Sequence, residues 1–289
     1  MILALYLVVT CCSACDSIFA ESAESTVEPT IVLIEPTESL PAALPPATEL
    51  PTDPPEPTIP PLGIETGLYF DSYHSDVYGD YLDYYVHVPE NAVIDMPLVV
   101  YLHGDGEVNQ PESLPARGLS KLTKKVYGEE FPFILLEPNT RIKSWISNNI
   151  PAILMELIEF TADQYNIDKD KIIITGHSRG AIGVWKMISV YGGYFSAAVP
   201  VSSPHKAGHM DYIKSAEVPV WTFAGDIGDI ERWYHEYLSK NVEMIQVSGG
   251  YGKFTILEGC DHGKAKNKAY VKETFEWMLA QQRGIIPEE

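Results

Sequence analysis

Five residues, Gly176-His177-Ser178-Arg179-Gly180, constrain the fold more than any other stretch of this chain. They follow the β-branched run Lys171-Ile172-Ile173-Ile174-Thr175, which reads as a buried strand. They precede Ala181-Ile182-Gly183-Val184-Trp185-Lys186-Met187-Ile188, which reads as a helix. A strand that enters a helix through G-x-S-x-G turns so tightly that the residues two before and two after the serine face each other. A side chain on either would strike the opposing backbone, so both are glycine. The serine is then held in strained backbone, its hydroxyl raised above the sheet and the N-terminus of the next helix beneath it.

A serine hydroxyl is a weak nucleophile near neutral pH. It needs an imidazole to take its proton and a carboxylate to fix the imidazole's tautomer. His262, in Glu258-Gly259-Cys260-Asp261-His262-Gly263, follows the strand-like run Lys253 to Leu257 and is the candidate base. The acid belongs on the loop after the buried run Val218 to Ala224, within Gly225-Asp226-Ile227-Gly228-Asp229-Ile230-Glu231. Asp229 is favoured from loop position. Asp226, at the strand edge where Asp often caps a turn, and Glu231 are the alternatives.

A developing oxyanion needs two donors. One is the backbone N–H of Arg179. The other is expected from the turn His103-Gly104-Asp105-Gly106 after the strand Pro97 to Leu102, at Asp105. His103 is read as bracing that turn through a hydrogen bond. Trp145, in Ser144-Trp145-Ile146-Ser147, is the candidate wall of a substrate pocket, with plain packing as the other reading. His205, His209 and Asp211 lack a clear fourth ligand, and the histidines are read as solvent-exposed loop residues, so no metal is expected; the chemistry read here needs no cofactor.

These segments resemble an α/β-hydrolase of the esterase type, similar to the polyhydroxybutyrate-depolymerase-like, feruloyl-esterase-like and phospholipase/carboxylesterase groups. The matching residues are Tyr84-Tyr85-Val86-His87-Val88-Pro89, Leu98 to Gly104, Asp168 to Gly180 and Phe195 to Ser202. The resemblance spans residues 66–283 and implies hydrolysis of a carboxylic ester by Ser178, His262 and Asp229 through an acyl-enzyme. It does not name the ester: acetylated or feruloylated polysaccharide, polyester and lipid esters are all open. A peptidase of the same fold, or a binding module that lost its chemistry, are the rival readings. Arg179 stands where such esterases often carry Met, and Ala181 replaces a common second glycine. The segment between Val201 and Val218 leaves little room for a large lid.

The expected fold class is α/β, with a mostly parallel central sheet, helices on both faces and an antiparallel N-terminal hairpin. The hairpin is expected at 66–74 and 81–88. Further strands are expected at 97–102, 131–136, 171–175, 196–201, 218–224 and 253–257. Helices are expected at 117–127, 148–165, 180–191, 231–241 and 267–282. Residues 63–289 are long enough to make this one catalytic domain.

The front of the chain differs. Residues 1–62 hold no Lys or Arg, and eleven of the 22 prolines lie there among Glu, Thr and Ala. Residues 16–62 are therefore expected to be an extended, polyproline-like tether. The apolar run Met1 to Val9 is too short to span a bilayer and suits a signal-peptide core. Ser13-Ala14-Cys15 resembles a bacterial lipobox, which makes Cys15 the candidate lipidation site and the enzyme extracellular, held to the membrane only by that anchor. Three of the four cysteines lie in this leader, leaving Cys260 as a single, buried thiol in the domain. The net charge of −20 argues against nucleic acid and against strongly anionic substrates. The expected partner is a small-molecule or polysaccharide-linked ester.

Overall fold

The computed structural model describes residues 65–288 apart from residues 143, 148 and 206–210. The leader 1–15 with Cys15, the stretch 16–62 and His209 lie outside the described residues. Eight strands form one sheet: β1 (Gly67–Ser75), β2 (Asp80–Val88), β3 (Leu98–Leu102), β4 (Ile134–Asn139), β5 (Ile172–His177), β6 (Ala197–Val201), β7 (Val220–Gly225) and β8 (Gly252–Leu257). The helices are α1 (Leu114–Arg117), α2 (Leu119–Tyr127), α3 (Ile150–Gln164), α4 (Arg179–Tyr191), α5 (Tyr212–Ser215), α6 (Asp229–Val247), α7 (His262–Ala269) and α8 (Lys272–Ala280).

Across the sheet the strands run β1-β2-β4-β3-β5-β6-β7-β8. β1 pairs with β2, and β2 with β4, antiparallel; the other neighbours are parallel. This is the expected hairpin on a mostly parallel sheet. Parallel strands need crossovers, and right-handed crossovers cover both faces with helices, so central strands read as continuous apolar runs. β3 shows this. Leu98, Val100 and Leu102 pack in one core layer with residues of α3, α4 and α6. Val99 and Tyr101 pack in the other with residues of α2, α7 and α8. Among the described residues no helix is long and apolar enough to cross a membrane.

Three of the departures from the expected boundaries are larger than a residue or two. β4 begins at Ile134 rather than 131. Phe131 and Phe133, either side of a proline with no N–H to give a ladder, are instead buried, and Phe133 stacks on Phe275. α6 continues to Val247, six residues beyond the expected end. The expected single helix over 267–282 is two helices. Between them Tyr270 leaves helical backbone, and its hydroxyl reaches Thr175 Oγ1 at 2.8 Å within the core.

Glu137, at the carboxyl end of β4, caps α2. Its Oε1 accepts the backbone N–H of Leu119 at 2.5 Å and of Ser120 at 3.3 Å. Its Oε2 is buried without a hydrogen-bond partner among the described residues. Burial pushes this carboxyl up to about 7, against the pull of the hydrogen bonds and of Lys266. A raised carboxyl pKa means that folding favours the protonated form. The stability it confers is complete below the unfolded value of 4.5 and is lost as pH rises to about 7. Glu137→Gln is therefore expected to flatten the dependence of melting temperature on pH between 5 and 8, removing a fall on the order of 3 kcal/mol. Thermal melts of both proteins across that range check this; parallel curves would refute it.

Candidate active site

The carboxyl ends of β5, β6, β7 and β8 bring four segments together, as an open parallel sheet dictates. Ser178 lies between β5 and α4 at φ 58° and ψ −119°, a left-handed backbone that L-residues occupy at a cost of about 1–3 kcal/mol. Its N–H donates to the Val201 carbonyl at 2.9 Å, which ties the turn to β6. Gly176 and Gly180 face each other across this turn: a Cβ on Gly176 would lie 2.7 Å from the Gly180 carbonyl carbon.

Ser178 Oγ lies 2.8 Å from His262 Nε2, and His262 Nδ1 lies 2.6 Å from Glu231 Oε1. A carboxylate only accepts, so Nδ1 carries the imidazole proton and Nε2 presents its lone pair to the serine hydroxyl. The Glu231 side chain is wholly buried, and its other oxygen accepts from Ser202 Oγ at 3.0 Å and from the Gly225 N–H at 2.5 Å. Every lone-pair direction of this buried carboxylate that matters to the imidazole is thus fixed.

The expected acid, Asp229, is not on His262. It lies in the first turn of α6 with its side chain fully exposed, paired with Arg232 at 2.8 Å. The reason is helical phase. Glu231, Tyr234, Leu238, Val242 and Ile245 form the buried stripe of α6. Asp229, two residues before Glu231, points away from it by roughly 200°. Counting back from Leu238 at intervals of three and four residues arrives at Glu231, a signal present in the sequence. Asp226 instead accepts the Cys260 N–H at 3.2 Å and holds the two loops together.

His177, the residue before the serine, was given no role from sequence. It lies under His262, with ring centroids 4.8 Å apart, and its Nε2–H donates to the His262 carbonyl at 2.9 Å. Burial, then the neighbouring His262 and Lys266, lower its pKa to about 3, so it stays neutral and holds the His262 backbone in place.

On the other side of Ser178 lies the turn after β3. Gly104 is in contact range of it: a Cβ there would lie 3.6 Å from Ser178 Cβ. Asp105 begins the short 3₁₀ turn Asp105–Glu107, and Arg179 is the first residue of α4, so its N–H has no intrahelical acceptor. The side chains of these two residues also pair. Arg179 Nη2 donates to Asp105 Oδ2 at 2.7 Å, and Arg179 Nε to Oδ1, so the guanidinium clasps the turn to the helix. His103 is buried and bridges the turn as expected: Nε2 accepts the Thr140 N–H at 3.1 Å and Nδ1–H donates to the Gly104 carbonyl at 2.7 Å.

Trp145 is not the pocket wall expected of it. It is 2% exposed, its Nε1–H donates to the His103 carbonyl at 3.0 Å, and its ring meets His103 edge-on. The indole is anchored inward because its one donor is needed there. The neighbouring Ile146 faces the cleft instead. That cleft, about 620 Å³, is lined by Ile146, Ile182 and Lys186, by Ser203 to His205 after β6, and by Trp233, Tyr234 and Tyr237 of α6. Tyr234 also lies beside His262, with ring centroids 6.2 Å apart, so one wall of the cleft adjoins the serine–histidine pair. His205, expected to be solvent-exposed, is instead buried against the cleft, and Asp211 caps α5 by accepting the Lys214 N–H at 3.0 Å. Among the described residues no cluster of His, Cys, Asp and Glu is placed to hold a metal. Cys260 is a buried free thiol.

No family model matches the chain, and no curated protein matches it. Solved structures do. A thermostable esterase matches at 23% identity and TM-score 0.61, over 75% of this chain and 63% of that one, so the chain spans less than two thirds of that protein. S-formylglutathione hydrolase from Staphylococcus aureus matches at 18% identity and TM-score 0.58, over 76% and 99%. The feruloyl esterase module from Clostridium thermocellum matches at 13% identity and TM-score 0.53, over 77% and 90%. At these identities the likeness is one of fold, and the chain has the α/β-hydrolase fold.

Proposed function

We propose that this protein is a serine hydrolase of carboxylic esters. The observation that carries the reading is the unbroken chain of hydrogen bonds from Ser178 through His262 to the buried Glu231. As the Ser178 oxygen attacks the ester carbonyl, His262 Nε2 takes its proton, and Glu231 stabilises the imidazolium through Nδ1–H. The N–H groups of Arg179 and Asp105 face the oxyanion. Collapse expels the alcohol, protonated by His262, and leaves an acyl group on Ser178. Water, activated by the same imidazole, then releases the acid and restores the serine.

The names of the fold's neighbours, esterases among them, support ester substrates. The apolar leader ending at Cys15 and the proline-rich stretch after it support an exported enzyme held at the cell surface by a lipid.

The test is hydrolysis of p-nitrophenyl acetate, butyrate and octanoate by the full-length chain. Ser178→Ala is expected to lower kcat on the order of 10⁴- to 10⁶-fold, and to abolish labelling by a fluorophosphonate. Turnover that survives this substitution in a folded protein would overturn the proposal.

A further inference from the structure

The cleft beside Ser178 contains a cation that the triad chemistry does not use. Ile182 and Lys186 stand four apart on one face of α4, and Ser178, four residues before Ile182, is the N-cap of that helix. The Cα of Lys186 is about 12 Å along the axis from that of Ser178. Helical side chains lean toward the N-terminus, which brings the ammonium back toward the serine. The main walls of the cleft are aromatic or aliphatic, Ile146, Ile182, Trp233, Tyr234 and Tyr237, with His205 beside them. Among the described residues lining the cleft Lys186 is the one Lys, Arg, Asp or Glu, and no described carboxylate pairs with it.

A cleft that received only hydrocarbon would be better served by Met or Leu at this position. A strongly hydrated ammonium set among aromatic walls repels apolar groups and attracts an anion. The net charge of −20 repels polyanions at long range. Lys186 therefore acts at short range, on a single carboxylate already held in the cleft.

Resting on the esterase reading above, we infer that Lys186 selects esters whose cleft-bound portion, an apolar or aromatic acyl or alcohol group, ends in a carboxylate. The test compares two pairs of esters with the full-length chain. On the acyl side the pair is 4-nitrophenyl hydrogen glutarate and 4-nitrophenyl pentanoate. On the alcohol side it is 4-acetoxybenzoate and 4-methylphenyl acetate. The anionic-to-neutral ratio of kcat/KM in wild type, divided by that ratio in Lys186→Met, cancels intrinsic reactivity. It is expected to be about tenfold for at least one pair, to shrink as salt is added, and to be retained by Lys186→Arg. A quotient near 1 for both pairs overturns the inference.

Loss of the esterase reading would look different: none of the four esters would show turnover that depends on Ser178. The anion site is then read without chemistry. Calorimetric titration of Ser178→Ala with monomethyl glutarate and with 4-hydroxybenzoate is expected to show binding of at least one, weakened about tenfold by adding Lys186→Met. Equal affinity in both backgrounds, or no binding of either, overturns the inference on its own terms.

Discussion

Glu231→Gln is expected to lower kcat by about 10⁴-fold with little change in KM, whereas Asp229→Asn stays within about twofold of wild type. The difference follows from donor and acceptor directions. Glu231 Oε2 accepts from the Gly225 N–H and from Ser202 Oγ, so a glutamine must place its carbonyl oxygen there. Its NH₂ then faces His262 Nδ1, which must become the acceptor. The imidazole proton moves to Nε2, the nitrogen that has to receive the Ser178 proton. Packing is conserved, so the loss falls on the chemical step. Asp229, exposed and paired with Arg232 on the outer face of α6, touches none of these atoms. Steady-state kinetics of both variants with p-nitrophenyl butyrate decide the matter. A 10⁴-fold loss in Asp229→Asn beside an active Glu231→Gln would return the acid to Asp229.

The contrast between these two residues also shows where sequence reading reaches and where it stops. The strand–turn–helix around Ser178 was legible because the two glycines, the β-branched run and the helix are local and each demands the others. His262 was legible from chain order after the last strand. The mostly parallel character of the sheet was legible because apolar runs alternating with helices demand right-handed crossovers; the strand order was not read from the sequence. The acid was not legible from loop position, because distance along a loop does not specify which face of the next helix turns inward. That needed the phase of α6, fixed by Tyr234, Leu238 and Ile245. Trp145 was misplaced for a related reason. Indole suits a pocket wall and a core equally, and the deciding fact, a hydrogen bond from Nε1 to the His103 carbonyl, joins residues 42 positions apart. The Arg179–Asp105 clasp and the His177 brace under His262 likewise span segments far apart in sequence.

Gly180→Ala is expected to be severely destabilising, costing about 4 kcal/mol or more. A Cβ at 180 would lie 1.8 Å from the Leu102 carbonyl oxygen, 2.6 Å from its carbon and 2.9 Å from the His103 oxygen. All three are backbone atoms at the end of β3, a central strand hydrogen-bonded to both β4 and β5. No rotamer relieves such a clash; either α4 must lift from the sheet or β3 must shift. Both motions break the layer in which Val184, Trp185 and Ile188 pack on Leu102 and its neighbours. For a domain of this size the melting temperature should fall by about 10 °C. Gly263→Ala provides the internal contrast. Its nearest neighbour would be Asp261 Oδ1 at 3.7 Å, and it lies in the first turn of α7, where alanine favours the helix. That substitution should leave the melting temperature unchanged or raise it. The same methyl group therefore acts with opposite sign at two glycines of one site. A Gly180→Ala protein that melts with wild type would mean that the end of β3 yields, and with it the turn that carries Asp105 to Ser178.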